Sequence, residues 1–350
     1  MNKPMSSLAA AVLLAFGSGA AAQPAAGDAM QRIADAHAAD YPGLAFAVIE
    51  PDGAMRSGAV GKTPDGKPFT AQTPVALYSV AKTMTATLAL MLARDGKLDL
   101  DKPIGTLAPG TGQWSQTTAR QLLTHTSGMR HYKDGEWLPL SRHHCATTAD
   151  ALKDFIGDAP AGPAGQYRYS TFGYVLLSHV LATAAGRDFP ALFTEKIAAP
   201  SGGDLSVWNG PAAPPPNGFE PQGKGFKPSR AIDNSCKFGA GAISGSAEDL
   251  ARFGAALASG KLMPVEAAME MVKPAANDGR NGWSWGLSAL AGGTSVATHS
   301  GSAIGGTTAI AIDLRSGRVA AIVGAVEGPN LIADAKRLLE LAEGGASPPG

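Results

Sequence analysis

The chain has 350 residues, of which 45% are hydrophobic and 17% charged, and its 29 basic and 29 acidic side chains leave no net charge. That balance, with no basic run, excludes nucleic acid and an anionic membrane surface as expected partners. The length suits one large domain or two closely packed ones, and 44 Gly and 25 Pro between strong apolar runs point to shaped loops rather than disorder.

The first residues read as a secretory signal peptide. Met1-Asn2-Lys3 gives a charged start, residues 8–16 an apolar core, and Ala20-Ala21-Ala22 a small-residue cleavage site before Gln23. The apolar run is too short to span a bilayer, and no Cys near the cleavage site offers a lipid anchor. The expectation is a signal peptide over 1–22 and a mature chain over 23–350, periplasmic or secreted, with no membrane anchor.

Residues 28–40 read as a first helix, and 43–50 and 54–61, joined by Pro51-Asp52-Gly53, as a β-hairpin. A long helix follows Ser79, with Val80, Ala81, Met84, Leu88 and Leu92 at helical spacing and Gly96 placed to end it. The charges of 98–104 cap and solvate its end. Shorter helices are predicted over 118–127 and 148–156. Tyr169 directly precedes a buried helix over 172–185, capped by Ser170 and Thr171 and ended by Gly186.

Residues 201–235, with Pro211 and Pro214-Pro215-Pro216, read as a flap lying over whatever the domain binds, with Trp208, Phe219, Phe226 and Ile232 tending to burial. Ser246 caps a helix over 247–257. Strands are expected at 286–288, 295–299, 307–313 and 318–326, before a closing helix over 331–341. The order predicts a single α+β domain. Its antiparallel sheet, of five-stranded type, is built from both chain ends (about 28–80 and 240–343), with N- and C-terminal helices flanking it and a mostly helical insertion over about 81–239.

The chemistry centres on Ser79-Val80-Ala81-Lys82. Residues three apart share a helical face, and at a first turn their heads meet beside backbone N–H groups that have no intrahelical partner. Such groups stabilise negative charge on an attacked carbonyl. If the pair stands alone, a capping Ser with a solvated Lys is the commoner explanation. His125, before Thr126-Ser127-Gly128, reads as a residue that fixes a turn rather than as a base. His131, His143 and His144 lack a recurrent ligand spacing, so no metal is expected. Cys145 and Cys236 are the only cysteines; the sequence leaves a disulfide and two separate buried thiols both open.

Three short signals occur in order: Ser79-x-x-Lys82, Tyr169-Ser170-Thr171 and His299-Ser300-Gly301. Together with LLTHTSG at 122–128, YSTFGYVLL at 169–177, GSAEDL at 245–250 and WGL at 285–287, they resemble the serine β-lactamase and penicillin-binding protein superfamily. The match is to its class C-like branch, which carries S-x-x-K, Y-x-N and K-T-G or H-x-G. It extends over about 28–341, and Arg130-His131-Tyr132 with 169–174 looks most like the mitochondrial serine β-lactamase-like proteins and their bacterial relatives.

The resemblance implies a β-lactamase/transpeptidase-like fold. It also implies Ser79 as acylated nucleophile, Lys82 as base or electrostatic activator, and Tyr169 as proton shuttle, with no cofactor. The backbone N–H groups of Ser79 and Ser302 would form the oxyanion hole. His299, Ser300, Gly301 and Thr171 would line the substrate, Gly301 because a side chain would block substrate on the strand edge.

Two departures stand out. Thr171 replaces the amide of Y-x-N, and its hydroxyl supplies only part of that hydrogen bonding. His299 replaces a lysine, so a fixed positive charge becomes absent or pH-dependent. The expected function is a secreted serine hydrolase acting on a small-molecule or peptide amide, of peptide, D-amino-acid or peptidoglycan type, with weak β-lactamase activity at most. A carboxylic esterase is one alternative. A non-catalytic, filament-forming or ligand-sensing protein is another, against which the joint presence of Ser79, Lys82 and Tyr169 argues. The mitochondrial relatives assemble into filaments, so homo-oligomers or filaments enter the expectation.

Overall fold

The computed structural model describes residues 26–140, 143–208, 210, 213, 215–275 and 279–345. The expected signal peptide therefore lies outside the described residues. The chain opens with helix α1 (Ala26–Ala36) and the strands β1 (Gly43–Ile49) and β2 (Met55–Gly61). The inserted region holds α2 (Ala81–Arg94), α3 (Ala119–Leu123) and α4 (Thr171–Ala185). It is followed by α5 (Ala247–Ala258), the strands β3 (Gly286–Ala289), β4 (Ser295–Ala303), β5 (Gly306–Asp313) and β6 (Arg318–Gly324), and α6 (Ile332–Gly345). No helix among the described residues is long and apolar enough to cross a membrane.

The sheet is antiparallel with strand order β2-β1-β6-β5-β4-β3. It therefore has 6 strands rather than five. The sixth member is β3, the strand expected at 286–288, which is a four-residue edge strand pairing with the start of β4 from Ala289↔Ser295 to Gly286↔Thr298.

Strand alternation explains the layers. Ala45, Ala47 and Ile49 of β1 face the core shared with α2, α4 and α5, whereas Leu44, Phe46 and Val48 face α1 and α6. Both faces are covered, so β1 reads as a nearly continuous apolar run. Burial of whole side chains on both faces, at about 25 cal/mol per Å² of apolar surface, makes this sheet the rigid base of the molecule.

Two helices set the site. α2 is buried along nearly its whole length and stops where Gly96 takes φ +70°. α4 starts at Ser170, whose Oγ accepts the Gly173 N–H at 2.9 Å, and stops at Gly186 with φ +63°. Several expected elements are shorter than their periodicity implied. α1 ends at Ala36 rather than 40, α3 ends at Leu123 rather than 127, and the helix starting at Thr148 ends at Leu152.

The flap expectation is corrected by the structure. Residues 206–207 add to a small sheet, and Phe219–Gln222 and Gly225–Pro228 form a hairpin. That hairpin is tied to the end of β6 by the Phe219 N–H donating to Ala325 O at 2.7 Å. Ile232 is buried, while Trp208, Phe219 and Phe226 are half-buried. The hairpin thus covers the sheet end, and Pro215 and Ser229 of the same segment pack against Gly305 in the β4–β5 turn.

Candidate active site

Ser79 lies in a single 3₁₀ turn, Tyr78–Val80, immediately before α2. Tyr78 has φ +47°, the left-handed region, at a cost on the order of 1–3 kcal/mol for a residue with a side chain. The Tyr78 ring is buried and its hydroxyl donates to Ile304 O, at the β4–β5 turn, which holds this bend. The strained turn projects Ser79 from the start of the buried helix.

Two groups meet at its hydroxyl. Lys82 Nζ lies 3.1 Å from Ser79 Oγ, and Tyr169 O–H donates to the same oxygen at 2.9 Å. Lys82 also donates to Ala240 O at 2.6 Å. That carbonyl is held by its neighbour Gly239, whose O accepts from Thr85 Oγ1 at 2.9 Å and whose N–H donates to Ser178 Oγ at 3.2 Å. Lys82 is fully buried and has no carboxylate partner among the described residues, and burial pushes its amine down to about 7. Near neutral pH a large share is the free base. In that form the contact reverses, with Ser79 O–H donating to the Nζ lone pair.

Tyr169 is kept protonated. Burial raises its phenol above the ordinary value, against the opposing hydrogen bonds of Ser79 and Thr171. Its ring is packed by His125 at 4.6 Å and edge-on by His131 at 5.3 Å. His125 does fix a turn: it adopts φ +56°, its Nδ1 accepts the Ser170 N–H at 3.1 Å, and its carbonyl accepts the Arg168 N–H at 2.7 Å. Both histidines are therefore the mould for Tyr169 and the α4 cap. Thr171 is buried at the start of α4, where its N–H donates to His131 Nδ1 at 3.2 Å and its hydroxyl supports the Tyr169 phenol. Burial first, then the nearby lysine charges, hold His131 down at about 4, so it is neutral.

On the opposite wall β4 passes beside the Ser79 turn. β3 pairs only as far as Thr298, so no described strand covers that edge of β4 from His299 onward. Gly301 is needed for a reason other than the one expected. A Cβ there would lie 2.5 Å from Leu77 O and 2.6 Å from Ser79 N, so it would strike the turn that carries Ser79 before any substrate.

His299 hydrogen-bonds to the backbone of Ser79, and its Nε2 is buried without a partner. Burial, followed by the Lys82 charge, pushes it down to about 3, so it carries no charge at neutral pH. Ser302 lines the cleft, with its hydroxyl 2.8 Å from Thr307 Oγ1; Ser300 does not line it.

The cleft has a volume of about 280 Å³ and is bounded by Ser79, Thr171 and Ser302, with Tyr132, Trp137 and Lys237 opposite. No described residue of 201–235 lines it. Lys237, Trp137 and Glu327 went unnoticed in the sequence, because none belongs to a recurring motif. Only the neighbouring Cys236 marked the place.

Cys145 and Cys236 form a disulfide with Cα atoms 4.9 Å apart. His143 Nε2 lies 3.2 Å from Asp154 Oδ2 and 3.4 Å from Cys236 Sγ, a grouping with the outline of a ligand set. The bond between the sulfurs removes both as thiolate ligands.

A family model described as Beta-lactamase matches residues 30–343. PbpX of Bacillus subtilis (strain 168) is 27% identical over 217 residues, 60% of this chain and 54% of that protein. The D-alanyl-D-alanine-carboxypeptidase/endopeptidase AmpH of Escherichia coli (strain K12) is 30% identical over 189 residues, 51% of this chain and 48% of AmpH. The chain thus spans about half the length of these relatives. In fold, the crystal structure of D-amino acid amidase from Ochrobactrum anthropi SV3 superposes with a TM-score of 0.78 at 23% identity, covering 92% of this chain and 99% of that one.

Proposed function

The chain belongs to the Beta-lactamase family, and from that premise we propose that it is a serine hydrolase cleaving amide bonds through an acyl-enzyme on Ser79. Peptides of the D-amino-acid or peptidoglycan type are its favoured substrates. The observation that carries this reading is the convergence of Lys82 Nζ and Tyr169 O–H on Ser79 Oγ, at 3.1 and 2.9 Å.

Neutral Lys82 accepts the Ser79 proton as Oγ attacks the carbonyl carbon. The developing oxyanion is received by the backbone N–H groups of Ser79 and Ser302. As the C–N bond breaks, the Tyr169 phenol gives its proton to the leaving nitrogen and recovers one from the Lys82 ammonium. Water then attacks the ester, its proton returns through the Tyr169–Lys82 pair, and Ser79 is regenerated. No step calls on a cofactor.

The peptide preference is supported by the named activities of AmpH, a D-alanyl-D-alanine-carboxypeptidase/endopeptidase, and of the D-amino acid amidase. β-Lactam turnover is proposed to be weak. An uncharged His299 offers no cation to a carboxylate, and Thr171 replaces the amide that would order an acylated ring. Export through the 1–22 signal peptide, into the periplasm or medium, belongs to the same reading.

The test is steady-state turnover of D-Ala-terminated peptides, D-amino-acid amides, a p-nitrophenyl ester and nitrocefin by the wild type and Ser79→Ala. Ser79-dependent turnover that ranks the peptides and amides above nitrocefin is expected. Preference for the ester would assign the chain to carboxylic esters, and absence of turnover on all four would refute the hydrolase reading.

A further inference from the structure

The acylation steps leave Lys237 unused. It lies in the 3₁₀ segment Ser235–Ala240, directly after the disulfide-bonded Cys236. Its stem runs along Gly241, where a Cβ would come within 3.4 Å of Lys237 Cδ. Its ammonium faces three rings, 4.3 Å from Trp137, 5.5 Å from Tyr78 and 6.0 Å from Tyr132. The residue is 9% exposed and lines the same cleft as Ser79.

Among the described residues nothing accepts a hydrogen bond from this Nζ and no carboxylate pairs with it. Glu327, exposed on the rim, acts on it only through space. With no anion bound, burial and the like charge of Lys82 hold the Lys237 amine well below its ordinary range, and an entering carboxylate would favour its charged form. Cation–π contact with the three rings offsets only part of the cost of placing a cation here. A buried ammonium with three donors and no acceptor is a site awaiting an anion.

Among the described residues no other cation near the cleft is available for that task. Lys82 is engaged by Ala240 O and Ser79 Oγ, and burial keeps His131 and His299 neutral. The cleft is at the small end of ligand pockets, so an anion reaching Lys237 belongs to a group close to the scissile bond.

We propose that Lys237, boxed by Trp137, Tyr78 and Tyr132, is a subsite for the free α-carboxylate of the substrate's C-terminal residue. The enzyme then releases that residue as a carboxypeptidase and discriminates against amidated C-termini. This inference rests on the Ser79 reading for its chemistry, but its binding component does not need turnover.

The decisive experiment is calorimetric titration of full-length Ser79→Ala protein with N-acetyl-D-alanyl-D-alanine and with its C-terminal amide, alone and combined with Lys237→Met or Lys237→Arg. A charge-assisted contact predicts that the free acid binds roughly 10- to 100-fold more tightly than the amide. Lys237→Met is expected to collapse this ratio towards one, and Lys237→Arg to keep most of it, with thermal melts confirming that both variants fold. Equal binding of acid and amide, binding of neither at millimolar concentration, or a preference that survives Lys237→Met would overturn the subsite. An acid preference that depends on Lys237, in an enzyme with no Ser79-dependent turnover, would instead sink the hydrolase reading alone.

Discussion

Replacing Lys82 by Met should abolish activity and yet make the protein more stable at pH 6. The side chain is fully buried beside Ser79, and its amine falls from 10.5 to about 7 because burial disfavours the charged form. At 1.36 kcal/mol for each pH unit, that fall is about 5 kcal/mol of destabilisation when the site is protonated. Met keeps the stem's packing but leaves Ala240 O without its donor, at roughly 1–3 kcal/mol. The variant is therefore expected to gain about 2–4 kcal/mol at pH 6.

The sign follows from which state holds the proton. The folded value lies below the unfolded one, so the unfolded chain binds more protons between about pH 7 and 10.5 and wild-type stability rises with pH there. Below about 7 the wild type carries the whole penalty, and above 10.5 it carries none. Urea unfolding of both proteins at pH 6 and pH 10 measures this directly. The variant's advantage should shrink or reverse at pH 10. An advantage that is the same at both pH values, or a wild type more stable at pH 6, would refute the reasoning.

The same titration predicts that wild-type kcat/KM rises as pH increases through about 7, where Lys82 becomes the free base; a pH–rate profile flat between 5.5 and 8.5 would contradict it. Tyr169→Phe removes the proton donor 2.9 Å from Ser79 Oγ while keeping the ring against His125, so kcat should fall by roughly 10²–10⁴-fold with the melting temperature little changed. Gly301→Ala should lose activity and stability together, because its Cβ meets Leu77 O and Ser79 N at 2.5 and 2.6 Å; thermal melts and ester turnover report both. Removing the disulfide by Cys145→Ser with Cys236→Ser opens a separation of 91 residues and should cost roughly 4–5 kcal/mol on the chain-entropy model, seen as a lower urea midpoint.

The parts of the site that were legible in the sequence are those whose geometry is local. Ser79 and Lys82 meet because residues three apart share a helical face, and Tyr169 is fixed because Ser170 caps the helix that follows it. Both β-strand faces of 43–49 are apolar, which is why the sheet centre was readable.

Tertiary approach was not legible. Tyr78 at φ +47° breaks the local preference of its own residue type, and only the hydrogen bond to Ile304 O shows why. The reason for Gly301 lies in a turn more than 200 positions away in sequence, and the neutral state of His299 lies in its burial. No motif in the sequence marks Lys237, which the disulfide and three separate aromatic residues enclose. The Pro-rich stretch read as a lid because irregular segments often cover sites, whereas backbone bonding to β6 holds it to the sheet end.

The central claim is that Ser79 is a nucleophile activated by Lys82 and Tyr169. Intact-protein mass after incubation with a fluorophosphonate, followed by peptide mapping, tests it most directly. The account predicts a single adduct on the peptide containing Ser79, absent in Ser79→Ala and formed more slowly in Lys82→Met. No adduct on folded protein, or an adduct that persists in Ser79→Ala, would contradict it.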